Sequence, residues 1–167
     1  MRKVILELAV SLDGFIEGPN GEYDWCFNDQ DYGLTEFFNG IDTIFMGRKS
    51  FEVSLKENNP WKGVTTYVFT NTLERSPSSD VKLIRSIDEV RSILRQPGKD
   101  IWLFGGAELV TQFIDAGFVD EIRMSVHPIL LGSGKPLFHG INGRKKLKLV
   151  DVKTYDSGLV QLKYSHP

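Results

Sequence analysis

The sequence of 167 residues has one cysteine and three histidines, and its 20 basic side chains nearly balance 22 acidic ones. Because Cys26 stands alone, it can form no intramolecular disulfide and no cysteine-based metal cluster. The histidines lie far apart without a Glu/His spacing pattern, so no metal site is predicted. No segment approaches the roughly 18 to 20 consecutive apolar residues of a membrane-spanning helix. A net charge of −2 gives no overall attraction to nucleic acid or membranes. We therefore expect a cytoplasmic protein without either partner, in which any anion site is local.

Patterns typical of strands and of helices alternate along the chain. After the first strand, a loop rich in Gly, Pro, Asn and Asp covers 11–25, and loops of that length in compact domains are usually functional. Near the end, two alternating segments flank Asp156-Ser157-Gly158, as in a β-hairpin. Strands are predicted at 4–10, 42–46, 65–69, 81–84, 101–104, 121–126, 147–152 and 159–164, and helices at 31–39, 48–57, 86–95 and between Gly106 and Gly117. This order predicts one α/β domain over residues 1–167, with helices on both faces of the sheet.

Two predicted strands end in glycine directly before a helix, at Phe45-Met46-Gly47-Arg48-Lys49-Ser50 and at Leu103-Phe104-Gly105-Gly106-Ala107-Glu108. A helix N-terminus offers unpaired N–H groups to phosphate, and glycine lets the backbone approach a ligand without an intervening Cβ. In an open α/β sheet, both turns lie beyond the carboxyl ends of strands, where ligands bind. Cations such as Arg48 and Lys49 are unfavourable at a helix N-terminus that holds no anion, so the first turn favours a phosphate site. The second turn is equally compatible with close helix packing.

Two common phosphate-binding motifs are absent. No G-x-G-x-x-G follows a strand, so the usual dinucleotide fingerprint is missing. The segment Gly132-Ser133-Gly134-Lys135 lacks the earlier glycine of a P-loop, and Pro136 follows where Ser or Thr is needed. We interpret this segment as a structural connection.

Four segments carry a resemblance to known reductases. MGRKSFE, at 46–52, resembles the Met-Gly-Arg-x-Thr-aromatic-Glu segment of dihydrofolate reductases, and IWLFGGAELVTQFI, at 101–114, resembles their Gly-Gly turn. LAVSLDGFIEG, at 8–18, and VDEIRMSVHPILLGSGKPLF, at 119–138, look like the reductase domain of bacterial riboflavin biosynthesis. The ordered resemblance implies a dihydrofolate reductase-like three-layer α/β/α fold. Its mixed, mostly parallel eight-stranded sheet would end in an antiparallel hairpin and bind NADPH.

The resemblance also implies which residues hold the cofactor. Residues 47–50 would bind phosphate, residues 70–72 the adenosine 2′-phosphate, and residues 106–109 the pyrophosphate through backbone N–H groups, after a cis peptide between Gly105 and Gly106. Backbone at Ala9 and Ile16 would hold the nicotinamide amide. The full set implied is Ala9, Ile16, Gly47, Arg48, Lys49, Ser50, Thr70, Asn71, Thr72, Phe104, Gly105, Gly106, Ala107, Glu108 and Leu109.

The substrate side is less well defined. Asp13, in a polar turn after the first strand, is a candidate proton donor, although it could instead cap local backbone in an Asx-type turn. Asp31 precedes Gly47 at a spacing similar to that of the buried carboxylate of dihydrofolate reductases. No proline precedes it, however, and it could equally be the N-cap of its helix. Ser11 and Trp25 are candidates for substrate contacts, although Trp25 could as easily belong to the core.

Three functions remain open on the sequence alone. The first is an NADPH-dependent reductase of a flat, pterin- or pyrimidine-like heterocycle. The second is the riboflavin-pathway 5-amino-6-(5-phosphoribosylamino)uracil reductase, against which Phe104 stands where that enzyme has Glu before Gly-Gly. The third is a non-catalytic nucleotide-binding accessory protein. The resemblance further implies a homodimer, with 128–138 as a possible contact.

Overall fold

A computed structural model describes residues 1–56, 61 and 63–167. Its strands are β1 (Val4–Ser11), β2 (Phe15–Glu17), β3 (Ile41–Gly47), β4 (Thr65–Phe69), β5 (Val81–Ile84), β6 (Asp100–Gly105), β7 (Glu121–His127), β8 (Lys135–Pro136), β9 (Lys148–Thr154) and β10 (Val160–Ser165). Its α-helices are α1 (Leu34–Asn39), α2 (Arg48–Lys56), α3 (Val90–Leu94) and α4 (Ala107–Asp115).

Eight strands form one sheet in the order β5-β4-β3-β6-β1-β7-β10-β9. All neighbours from β5 to β7 pair in parallel, whereas β10 runs antiparallel to both β7 and β9. The predicted mixed sheet that ends in an antiparallel hairpin is therefore confirmed. Because the six parallel strands share one direction, their carboxyl ends meet along a single edge, where the two glycine turns lie.

Two apolar layers cover the sheet. Alternate residues of β1 face opposite ways, since successive side chains of a strand point to opposite faces. Val4 and Leu6 pack with the helices α3 and α4, whereas Ile5 packs with Phe37 of α1 and Phe51 of α2. Helices thus lie on both faces, as predicted. Among the described residues, no helix has the length and apolar character needed to cross a membrane.

The structure departs from the sequence prediction at several points. The predicted loop over 11–25 contains β2, which pairs with β8 in a two-stranded sheet. Two or three residues are too few to show an alternating pattern. Helix α1 begins at Leu34 rather than at Asp31, because Tyr32 and Gly33 have positive φ angles of 50° and 81°. The capping box at Ser86 is present and opens a 3₁₀ turn, Ile87–Glu89, before α3. The predicted helix end at Glu57 lies outside the described residues.

Candidate cofactor and substrate site

The two glycine turns meet at one cleft of about 310 Å³ on the carboxyl edge of the sheet. A Cβ placed on Gly47 would lie 3.8 Å from both Gly105 O and Gly106 N, so the backbones of the two turns are in contact. The residues implied by the resemblance that line this cleft are Gly47, Arg48, Lys49, Ser50, Thr70, Asn71, Thr72, Gly106, Ala107, Glu108 and Leu109. The structure therefore brings these residues together in one cleft, and their role in binding a cofactor stays a prediction.

The remaining implied residues lie away from the cleft lining. Ala9 is on β1 and Ile16 on the short β2, both partly buried. Gly105 is buried and is joined to Gly106 by a cis peptide bond, as the resemblance implied. Phe104 lies on the α1 and α2 face of β6 and packs with aromatic rings there. The roles of Ala9 and Ile16 in holding the nicotinamide amide, and of Phe104 in binding the cofactor, stay predictions.

The first turn places a cation and a hydroxyl at the cleft. Arg48 begins α2 directly after Gly47 and pairs with Glu52, one helical turn on, at 2.6 Å between Nη1 and Oε1. Both side chains are more than a third exposed, so this pair adds little to stability. A Cβ on Gly106 would lie 3.5 Å from Ser50 Oγ. The Ser50 hydroxyl thus lies beside the second turn.

The second turn leaves the N-terminus of α4 open to the cleft. Gly106 is the N-cap of this nine-residue helix and has extended backbone, and no described side chain caps the helix. The first N–H groups of an α-helix have no partner within the helix. These N–H groups, together with the positive end of the helix dipole, form a site suited to an anion.

Two cations at this cleft were not identified from the sequence. Arg85 follows β5, lines the cleft, and donates hydrogen bonds to the carbonyls of Thr70 and Leu73. Lys135, on β8, has its Nζ 3.6 Å from the position of a Cβ on Gly106. It also pairs with Glu17 of β2 at 3.3 Å. The segment 132–135, interpreted from the sequence as a structural connection, therefore also reaches the cleft through Lys135.

The loop after β4 is shaped by Thr70. The buried Thr70 Oγ1 accepts hydrogen bonds from the backbone N–H groups of Thr72, at 3.2 Å, and Leu73, at 3.1 Å. Its hydroxyl is therefore engaged with local backbone. Asn71 and Thr72 are exposed at the cleft, where Arg85 lies close by.

Asp13 is engaged in holding two loops together. Its carboxylate accepts hydrogen bonds from Ser11 Oγ at 2.7 Å, Leu131 N at 3.1 Å and Gly132 N at 2.8 Å. These hydrogen bonds, that from Ser11 foremost, lower the pKa of Asp13. An exposed, ionised carboxylate in this arrangement is a poor proton donor at neutral pH. Ser11 is likewise engaged, since its Oγ also accepts from Phe15 N at 2.9 Å.

Asp31 caps the turn that precedes α1. It accepts hydrogen bonds from Thr35 N at 2.9 Å, Thr35 Oγ1 at 2.7 Å and Gly33 N at 3.1 Å. The pKa of Asp31 is lowered chiefly by the Thr35 hydroxyl. Asp31 is also exposed, in contrast to the buried carboxylate that the resemblance implied. The structure therefore favours the capping role over a proton donor at this position.

Trp25 lies in a different cavity, of about 530 Å³, beside His127. The two rings meet edge to face at 5.3 Å, and the buried Trp25 Nε1 has no hydrogen-bond partner in the described structure. His127 Nε2 accepts from Phe27 N at 3.0 Å and Nδ1 lies 2.9 Å from Ser125 O, so Nδ1 carries the proton. Burial lowers the pKa of His127. The neutral His127 ring anchors the loop that contains Trp25, because its Nε2 accepts the hydrogen bond from Phe27. The described residues contain no group of three or more His, Cys, Asp or Glu that could hold a metal.

Glu7 is a buried acidic residue that the sequence analysis did not identify. It lies within β1 and is only 8% exposed, and burial raises its pKa to about 8. Its backbone carbonyl accepts a hydrogen bond from Trp102 Nε1 at 2.9 Å. Its side chain lines a cavity of about 330 Å³ beneath α1. In the sequence, its single charge in an alternating strand gave no sign of this environment.

The family model for the RibD C-terminal domain matches residues 2–161. The chain belongs to the RibD C-terminal domain family. It is 48% identical to the uncharacterized protein YyaP of Bacillus subtilis (strain 168), over 98% of this chain and 94% of that protein.

Solved structures share the fold at low sequence identity. A putative riboflavin biosynthesis protein from Shewanella sp. PV-4 has a TM-score of 0.86 and 24% identity, covering 100% of this chain and 99% of that one. The deaminase/5-amino-6-(5-phosphoribosylamino)uracil reductase of Thermotoga maritima has a TM-score of 0.77 and 20% identity, covering 99% of this chain and 57% of that one. Dihydrofolate reductase from Enterococcus faecalis, complexed with NADP(H), has a TM-score of 0.73 and 19% identity, covering 98% and 95%. The chain thus has a fold of the dihydrofolate reductase type.

Proposed function

We propose that this protein is an NADPH-dependent reductase of a flat, pterin- or pyrimidine-like heterocycle. The observation that carries the proposal is the contact between the two glycine turns, which brings the uncapped N-terminus of α4 beside Ser50 and Lys135. Membership in a family of reductase-like domains supports the same reaction class.

The cleft residues fit a dinucleotide with an additional phosphate. Backbone N–H groups at 106–109 and the Lys135 ammonium suit the pyrophosphate. Arg85, together with Asn71 and Thr72, suits the 2′-phosphate that distinguishes NADPH from NADH, because a guanidinium binds phosphate oxygens in a fixed fork. The cofactor, when bound, supplies a hydride to the substrate. The protein holds and orients it and excludes water from the reacting atoms.

Two alternatives remain, each with a distinct expectation. The Thermotoga protein is named as the riboflavin-pathway reductase. This chain has Phe104 directly before Gly-Gly, and Phe104 belongs to an aromatic cluster with Phe38, Trp61 and Trp102. That cluster favours an uncharged aromatic ring over a ribose phosphate. A non-catalytic accessory protein would bind NADPH but would not oxidise it, whichever heterocycle is offered as a substrate.

The decisive test is the melting temperature with NADPH, with NADH and without nucleotide. A ligand at 100 times its Kd adds roughly 2.7 kcal/mol of stability, about 5 to 11 °C for a domain of this size. We expect a clear shift with NADPH and a smaller one with NADH. The preference for NADPH is expected to disappear in Arg85→Ala and to persist in the matched control Arg95→Ala, an exposed cation outside the cleft. No shift of the wild-type protein with either nucleotide would overturn the proposal.

We also propose a cytoplasmic homodimer. Within the predicted contact at 128–138, Leu130 is 70% exposed and Phe138 40% exposed. The edge strand β9 adds further exposed apolar side chains, namely Leu149, Val150 and Val152. Sedimentation at micromolar concentration tests this assembly, and a monomer mass would contradict it.

A further inference from the structure

Within the described part of the chain, the Glu7 carboxyl forms no hydrogen bond and no ion pair. Among the described residues, no side chain or backbone N–H donates a hydrogen bond to its carboxyl, although only 8% of the residue is exposed. Arg123, whose charge lowers the pKa of Glu7, stands opposite it on β7 but pairs with Glu121, which also binds Lys163 at 3.2 Å. A buried carboxyl that lacks partners is costly when charged, and it is retained mostly where its proton has a use.

The position of Glu7 connects the cavity beneath α1 with the cofactor side of the sheet. Glu7 and Ala9 point to the same face of β1, about 7 Å apart along the strand. Ser125, which is the partner of Ala9 on β7, lines the same cavity as Glu7. On the other side, the register Leu6 to Leu103 places Phe104 next to Glu7, directly before the glycine turn. Glu7 thus lies between the aromatic cluster and a polar cavity, one strand step from the predicted nicotinamide contact.

We propose that Glu7 is the proton donor of the reductase and that its substrates are flat rings with a reducible C=N bond next to an amino group. This inference rests on the proposed function. In the reaction, the Glu7 carboxyl would give its proton to the ring nitrogen while bound NADPH would supply hydride to the ring carbon. The C=N double bond would become a C–N single bond, NADPH would become NADP⁺, and a proton from solvent would restore the Glu7 carboxyl.

Burial, and not the charges around it, keeps this proton on Glu7 at neutral pH. Burial raises the pKa of Glu7 to about 8, against a lowering by Arg123, and Glu121 raises it further. The other charged groups at the cavity are Glu36 on α1, Asp100 on β6, Asp151 and Lys153 on β9, and Lys163 on β10, with Tyr32 before α1. A protonated carboxyl can donate O–H to a ring nitrogen and accept N–H from the neighbouring amino group, which forms a two-point contact.

Binding of 2-aminopyrimidin-4-one tests this geometry without turnover, because its ring edge presents that nitrogen and amino group. With NADP⁺ absent and then saturating, we expect wild-type affinity to fall roughly tenfold between pH 6 and pH 9 as Glu7 loses its proton. Glu7→Gln, whose amide has the same donor and acceptor, should bind the probe with no such pH dependence. Glu7→Leu should bind about 10- to 100-fold more weakly, since both hydrogen bonds are lost.

The controls separate this inference from the proposed function. Glu36→Gln alters a carboxyl at the rim of the same cavity and should keep both the affinity and the pH dependence of the wild type. NADPH should raise the melting temperature of Glu7→Gln as much as that of the wild type. Failure of the wild type to bind the probe, or equal binding by Glu7→Leu, would overturn the role of Glu7. Absence of an NADPH shift would overturn the reductase proposal, while the probe titration would still report on Glu7.

Discussion

The buried Glu7 predicts that the protein loses stability as pH rises through neutrality. Its pKa is about 8 in the folded protein, compared with an ordinary value of 4.5. Between these values the folded state holds a proton that the unfolded state has released, so the free energy of unfolding falls by about 1.4 kcal/mol per pH unit. From pH 6 to pH 8 the loss is about 2 kcal/mol, because the slope flattens near the folded pKa.

Substitution of Glu7 by Gln isolates this contribution. The amide has the same shape and no charge, so the difference in stability between wild type and Glu7→Gln should shift by about 2 kcal/mol from pH 6 to pH 8 in favour of the variant. In thermal unfolding this corresponds to about 4 to 8 °C for a domain of this size. His127, whose pKa is lowered by burial, acts in the opposite direction below its ordinary value of 6.5. Its effect is common to both proteins and cancels in the difference.

The assay is urea unfolding followed by tryptophan fluorescence at half-unit steps of pH, with Glu36→Gln as the exposed control. Trp102, whose indole donates to the Glu7 backbone, is a reporter close to the site. A wild-type minus Glu7→Gln difference that stays constant within about 0.5 kcal/mol across this range would refute the reasoning. Such a result would mean that water or a rearranged cation reaches the carboxyl and stabilises its charge.

Three further predictions concern the cleft between the two glycine turns and the loops around it. Lys135→Ala should weaken NADPH binding, measured by calorimetry, roughly tenfold. Glu17→Gln, which releases Lys135 from its ion pair, should leave the affinity for NADPH unweakened. An equal loss of affinity in both variants would indicate that the ion pair has a structural role. Gly106→Ala should weaken NADPH binding more than it lowers the melting temperature, because the added Cβ has room beside Ser50 and Lys135 but occupies the side facing phosphate. Gly105→Ala, at a φ of 107°, should show the reverse. Asp13→Asn should lower the melting temperature at neutral pH. Hydrogen bonds hold the pKa of Asp13 in the folded protein below its ordinary value of 3.8, so the difference between variant and wild type should disappear as the pH falls from 3.8 through that lower pKa. An unchanged melting temperature at pH 7 would contradict the role of Asp13 in holding the two loops together.

The cleft between the two glycine turns could be predicted because its determinants are local in sequence. Gly47 and Arg48 are consecutive, as are Gly105 and Gly106, and each pair marks the end of a parallel strand and the start of a helix. Parallel strands place all such ends at one edge, so two separate sequence motifs predict one site. The same reasoning supplied the order of elements, since strand and helix periodicities differ over five or more residues.

Lys135 and Arg85 could not be found in this way, because their positions depend on pairings that carry no local signal. Lys135 reaches Gly106 only because the two-residue β8 pairs with β2. Asp31 shows the opposite error. A spacing matched to a known family suggested a buried carboxylate, but the positive φ angles at Tyr32 and Gly33 delay α1 and leave Asp31 exposed as a cap.

Sequence analysis sought a proton donor on a loop or helix, whereas the structure has a buried carboxyl, Glu7, in the middle of a strand. A charged residue in an alternating strand is normally placed on the solvent side, and the pattern around Glu7 permits that reading. What determines its environment is non-local: Trp102 and Phe104 on β6, Arg123 on β7 already paired with Glu121, and α1 above. Trp102, Phe104 and Arg123 are more than 90 residues from Glu7 along the chain, and sheet register alone brings them to it. Desolvation then makes Glu7 a weak acid at neutral pH, while exposure and hydrogen bonds make Asp13 and Asp31 stronger ones.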